Sequence, residues 1–210
     1  MPTHTIDDAI GAANASQKPA VIFIHGLWLK PNSWDRWAEM FNAAGYAALA
    51  PGWPAEVGGA AAPETIGEVA AHFSRLSEAL DRRPALVGHA LGGLIAQTLA
   101  GRGLSAATVA IDPAPFRGGL PLPVSALRSA WPMPQTPASS GQRGPLLIIS
   151  GERDHTLPPS VGRAAYERQE RNQDAVTEFV QLPWRGHALT IGSGWREVAE
   201  AALNFVRRFL

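Results

Sequence analysis

Gly88-His89-Ala90-Leu91-Gly92-Gly93 has the spacing of a strand–turn–helix elbow that projects a nucleophile, yet its central residue, Ala90, carries only a methyl group. Such a turn is tight enough that positions 88 and 92 must be nearly free of side chain, a need that glycine meets. It also turns the backbone N–H of the next residue, Leu91, toward a developing oxyanion. Two later clusters bring a carboxylate and an imidazole. Asp154 in Gly151-Glu152-Arg153-Asp154-His155 can orient an imidazole, and His187 in Arg185-Gly186-His187 can serve as general base. A methyl cannot attack a carbonyl carbon, so no acyl-enzyme can form at Ala90.

The elements that must position these residues are legible as apolar runs alternating with helical patterns. Candidate strands are Ala20–Ile24, Tyr46–Ala50, Pro84–Val87, Ala107–Ile111, Leu146–Ser150 and Val176–Val180. The second to fifth lack clean alternation, as expected of strands covered on both faces. The last carries Thr177 and Glu178 and reads as an edge. Helices are expected over Ser33–Ala44, Pro63–Leu80, Leu91–Gly101, Pro159–Arg171 and Trp195–Leu210, the last capped by Ser193. This alternation predicts a three-layer α/β sandwich around a mostly parallel, doubly wound sheet of about six strands. Residues 1–18 give no strand signal. The Pro-rich stretch Arg117–Gly144 reads as an irregular loop within a single domain spanning residues 1–210.

His25-Gly26-Leu27-Trp28, Gly88–Gly93, Asp154 and the run from Arg185 to Trp195 follow four strands in order. Together they resemble the α/β-hydrolase superfamily, in particular its single-domain bacterial esterase/lipase-like members. The resemblance runs from about Ala20 to Leu210. It implies a Ser-His-Asp mechanism on carboxylic esters, with Asp154 as acid and His187 as base. Position 90 departs from the family, which has Ser there. The resemblance also implies an oxyanion hole made by the amides of Leu27 and Leu91, and a substrate site touched by His25, Gly26, Trp28, His89 and Trp131. The cap domain of many members is reduced to the 117–144 loop. His4, His72 and His155 read as surface or loop residues, and Trp34, Trp37 and Trp195 as packing residues.

Bulk properties narrow the classes. The chain has 18 basic and 18 acidic residues, so no net field draws it to nucleic acid or an anionic membrane. The absence of cysteine excludes disulfides and thiolate chemistry. No apolar run reaches membrane-span length, and no leader is evident, so a cytoplasmic protein is expected. No metal or cofactor is expected, and the partner is a small ester or acyl compound. The leading expectation is therefore a carboxylic ester hydrolase disabled at Ala90. Two alternatives stay open: a non-catalytic ligand-binding protein, and a His-Asp-dependent lyase or cofactor-free oxygenase.

Overall fold

The computed structural model describes residues 5–54, 65–115 and 143–210. The described chain runs α1 (Ile6–Ser16), β1 (Ala20–Ile24), a 3₁₀ turn (Pro31–Trp34), α2 (Asp35–Ala43), β2 (Ala47–Leu49) and α3 (Ile66–Glu78). It continues with β3 (Ala85–His89), α4 (Leu91–Gly101), β4 (Ala107–Ile111), β5 (Leu146–Gly151), α5 (Pro159–Glu170), β6 (Thr177–Leu182) and α6 (Trp195–Val206). The six strands pair in parallel in the order β2-β1-β3-β4-β5-β6. The chain leaves β1 for β2 on one side, then returns to pair β3 on the other. Ligands of open parallel sheets bind beyond the carboxyl ends of strands at such a switch point, because the flanking loops diverge there.

β1, β3, β4 and β5 are buried at every position, whereas β6 buries only Leu182. The sixth run accordingly carries Glu178, the one charged residue among the six runs. The pleat of β1 divides its side chains between two cores. Ile22 and Ile24 pack with Phe73 of α3 and Leu94 and Ile95 of α4, while Val21 and Phe23 pack with Trp37 and Phe41 of α2 and Val198 of α6. In the second core, Phe23 stacks on Trp34 at 5.1 Å and meets Phe41 edge-on at 5.2 Å. Offset and edge-on pairs of this kind add to the stabilisation from burial.

The structure departs from expectation in local ways. Helix α1 was not anticipated; Thr5 and Asp8 form a reciprocal capping box at its start, a T-x-x-D signal that the sequence contains. Helix α6 is not capped by Ser193: Gly194 is its N-cap and offers no side chain. Helix α2 starts at Asp35 rather than at Ser33, and the 3₁₀ turn Pro31–Trp34 precedes it. Strand β6 begins at Thr177 and runs on to Leu182. His72 is half-buried against Phe73 rather than on the surface, and burial, with the nearby Arg75 charge, holds its pKa below the ordinary value. Pro63 and residues 117–142 lie outside the described residues. Arg143, at the end of that stretch, is buried, and it donates to Gln169 O and to Thr177 Oγ1. Among the described residues no helix is long and apolar enough to cross a membrane.

Trp37 is fully buried, and its indole N–H donates to Thr190 O at 2.9 Å, tying α2 to the loop after β6. Trp37→Ala is expected to cost about 3–5 kcal/mol, read as a lower midpoint in urea unfolding.

Candidate active site

The elbow is built by backbone crowding. Ala90 adopts φ 52° and ψ −114°, a conformation that L residues rarely take. Its N–H donates to Ile111 O at 2.9 Å, and its own carbonyl accepts from Leu94 N and Ala114 N. A Cβ on Gly92 would lie 2.0 Å from Ile24 O, and one on Gly88 2.2 Å from Gly92 O. Both obstacles are backbone atoms, so neither can swing aside. A Cβ on Gly26 would lie 3.2 Å from the Ala90 methyl, so the loop after β1 presses directly on the elbow.

Asp154 and His187 meet beside this turn. His187 Nδ1 donates to Asp154 Oδ2 at 2.7 Å. Asp154 Oδ1 accepts from the amides of Thr156 at 2.7 Å and Leu157 at 2.8 Å. Burial alone would raise the carboxyl's pKa; the bonds from His187 and the two amides outweigh it and hold it below the ordinary value. The loops carrying the pair are strapped together by Glu152 N–Leu182 O at 3.0 Å, Arg153 N–Arg185 O at 2.7 Å and Trp184 N–Glu152 Oε2 at 2.9 Å. Gly151 permits this approach, since a Cβ there would lie 2.7 Å from Arg185 O.

A cavity of about 300 Å³ opens over the elbow. Its described lining includes Leu27, Trp28, Ala90, Leu91, Leu157 and His187, with His89 and Ile191 also on its wall. Trp28, at φ 63° and 68% exposed, stands at the rim. His25 and Gly26 do not line it. The His25 ring is buried, stacks on Trp53 at 5.5 Å and places Nδ1 2.9 Å from Gly26 O, which shapes the loop behind the cavity. Trp131 lies outside the described residues. His89 touches the cavity wall, but its ring is committed elsewhere: Nε2 donates to His187 O at 2.9 Å, and burial drives its pKa down to about 4, so it stays neutral. His155 is exposed.

Sequence reasoning missed Asp112. Its carboxyl is buried; Oδ1 accepts from Gly151 N at 2.9 Å, while Oδ2 has no hydrogen-bond partner among the described residues. Its backbone sits at φ 39°, and burial raises its pKa to about 7. Asp112, His89 and His187 each bring one donor atom within 4.8 Å of the others, the one such metal-capable set found among the described residues. Within that set His187 Nδ1 is bonded to Asp154 Oδ2 and His89 Nε2 to His187 O. Its only sequence signal is an acidic residue directly after a buried strand.

Two outcomes follow. Gly92→Ala is expected to prevent stable folding, seen as loss of the cooperative unfolding transition. Asp112 holds its proton more tightly folded than unfolded. Its contribution to stability is therefore complete below its ordinary value of 3.8 and is lost as pH rises through about 7. Asp112→Asn, which keeps the Gly151 bond and tolerates positive φ, is expected to unfold about 1–3 kcal/mol harder than the parent at pH 8. Near pH 4 the two should unfold alike, checked by chemical denaturation at both values.

No curated protein sequence matches the chain. Solved structures do. A monoacylglycerol lipase from Paleococcus ferrophilus superposes with a TM-score of 0.72 at 18% identity, covering 92% of this chain and 96% of that one. A thermophilic esterase from Thermogutta terrifontis gives 0.72 at 16% identity, covering 91% and 90%. Esterase 2 of the same organism, solved phosphonylated by sarin, gives 0.71 at 17% identity, covering 91% and 84%. At these identities the likeness shows the fold. The sequence profile of the alpha/beta hydrolase family matches residues 21–202, and with the parallel sheet and its elbow on the page, the chain belongs to the alpha/beta hydrolase family.

Proposed function

We propose that this chain carries a serine-hydrolase site for carboxylic esters in which Ala90 occupies the nucleophile position. The observation that carries the reading is the 2.7 Å His187–Asp154 hydrogen bond beside the strained elbow of Ala90, under an apolar cavity. The fold neighbours named as a lipase and as esterases support an acyl-transfer class.

With serine at position 90, the hydroxyl would attack the ester carbon while His187 Nε2 takes its proton. Asp154 would hold the imidazole in the tautomer that leaves Nε2 free and stabilise the imidazolium. The amides of Leu27 and Leu91 would meet the oxyanion of the tetrahedral intermediate. Collapse expels the alcohol, which takes the proton from His187, and water then cleaves the acyl-enzyme by the same steps. With alanine none of this begins. Removing the serine of a serine protease costs roughly 10⁶ in kcat. A water activated by His187 and Asp154 is a slow substitute, because nothing holds it in line.

Ala90→Ser is expected to raise hydrolysis of short-chain p-nitrophenyl esters by roughly 10³-fold or more over the parent chain. It should also take up one phosphonyl group from an organophosphonate, seen by intact-mass measurement, while the parent takes up none. A folded serine variant that is inert to both reagents would overturn the reading.

A further inference from the structure

We infer that His89, Asp112 and His187 form a binding site for one divalent transition-metal ion of the zinc class. One nitrogen of each ring and one carboxylate oxygen of Asp112 lie within 4.8 Å of one another. The residues come from different elements: His89 ends β3, Asp112 follows β4 and His187 follows β6. None of them needs a nucleophile at position 90.

Every member of the set is already oriented through its other polar atom. The Asp154 carboxylate accepts from His187 Nδ1 at 2.7 Å, so the lone pair of the neutral ring is on Nε2. The His187 carbonyl accepts from His89 Nε2 at 2.9 Å, which puts the lone pair of that neutral ring on Nδ1. Asp112 Oδ1 accepts from Gly151 N at 2.9 Å, leaving Oδ2 to a further partner. Metal-ligating histidines donate their second N–H to a carboxylate or a backbone carbonyl, which fixes the tautomer and makes the ligating nitrogen more basic. Both arrangements are present here, one on each histidine. His89 Nδ1 and Asp112 Oδ2 are buried and have no hydrogen-bond partner among the described residues, in side chains of residues only 3% and 2% exposed. Leaving such atoms unsatisfied is costly, and one bound cation satisfies both.

Two imidazole nitrogens and one carboxylate oxygen suit zinc, cobalt or nickel. Calcium and magnesium take oxygen ligands instead. Ligand atoms about 2.1 Å from a zinc ion stand about 3.4 Å apart, so the side chains close by up to about 1.4 Å on binding. Asp112 directly, and Asp154 through His187, bring two carboxylates to balance the charge of the ion, as a buried charge requires. His89 and His187 both line the cavity over the elbow, which gives the ion its entry and leaves space for a water as fourth ligand.

The test takes the untagged full chain, stripped with EDTA, and titrates it with zinc by calorimetry and with cobalt by visible absorption. One ion per chain is expected, with the cobalt spectrum of a low-coordinate nitrogen and oxygen site. Asp154→Asn removes only the orienting carboxylate and should weaken zinc binding by about 10–100-fold. His89→Gln and Asp112→Asn each remove a ligand and should weaken it further, whereas His155→Ala, at an exposed histidine beside Asp154, should leave it unchanged. Absence of saturable zinc binding, or binding that survives in both His89→Gln and Asp112→Asn, overturns the inference. If either ligand variant fails to fold by circular dichroism, NMR of the histidine ring nitrogens in the unmodified chain decides. Zinc must shift those of both His89 and His187, and a shift confined to other histidines overturns the inference. The two readings fail separately: an inert Ala90→Ser variant does not touch the metal site, and a chain that binds no zinc does not touch the hydrolase site.

Discussion

The site depends on a close approach between the end of β1 and the start of α4. Ile24 O occupies the space where a side chain at position 92 would begin, and Gly92 O does the same for position 88. With no room on either side, the peptide between them reverses at Ala90 with φ 52° and ψ −114°. The conformation persists because three backbone hydrogen bonds and two adjacent strands over-determine it. Everything at the switch point is referenced to that turn: the loop after β1 rests on it, α4 begins from it, and the cavity opens above it.

The second half of the site is held differently. Asp154 and His187 sit on irregular loops after β5 and β6, which have no regular ladder to fix them. Backbone bonds between the two loops, the Glu152 carboxylate on Trp184 N, and the Trp37 and Arg36 side chains on the carbonyls of Thr190 and Ile191 do that work. Core packing of α2 is therefore transmitted to the loop that follows His187. A histidine so held can keep a fixed hydrogen bond to a carboxylate although it is itself partly exposed.

The buried polar groups around this histidine run against stability. Among the described residues, one carboxyl oxygen of Asp112 and Nδ1 of His89 have no hydrogen-bond partner. Both are buried, and burial disfavours the charged form of each, raising the pKa of Asp112 and lowering that of His89. Below about pH 7, where Asp112 holds its proton, the cluster keeps Asp154 as its negative charge, hydrogen-bonded to His187 on the cavity wall. Unsatisfied groups and positive φ at Ala90, Asp112 and Trp28 concentrate at the sheet's carboxyl edge, where strain commonly marks a site.

The sequence by itself determined the architecture and the chain order of the candidate site's residues. Buried strands between amphipathic helices required a parallel sheet, and glycines at 88 and 92 marked a turn no other residue tolerates. Asp154 and His187 were legible because each follows a strand and so lies at the same edge as the elbow. Local boundaries were less legible: the capping box of α1 is two residues that look ordinary in a loop, and Ser193 looks like a cap but is passed over. Only the tertiary structure decided which side chains converge. Asp112 joined the cluster because β4 ends beside β5 and burial isolates its carboxyl. His25 was drawn behind the cavity by stacking on Trp53, and His89 was turned to the carbonyl of a residue 98 positions away. These are long-range contacts between residues without periodic signal, and a linear pattern contains periodicity and turns but not proximity.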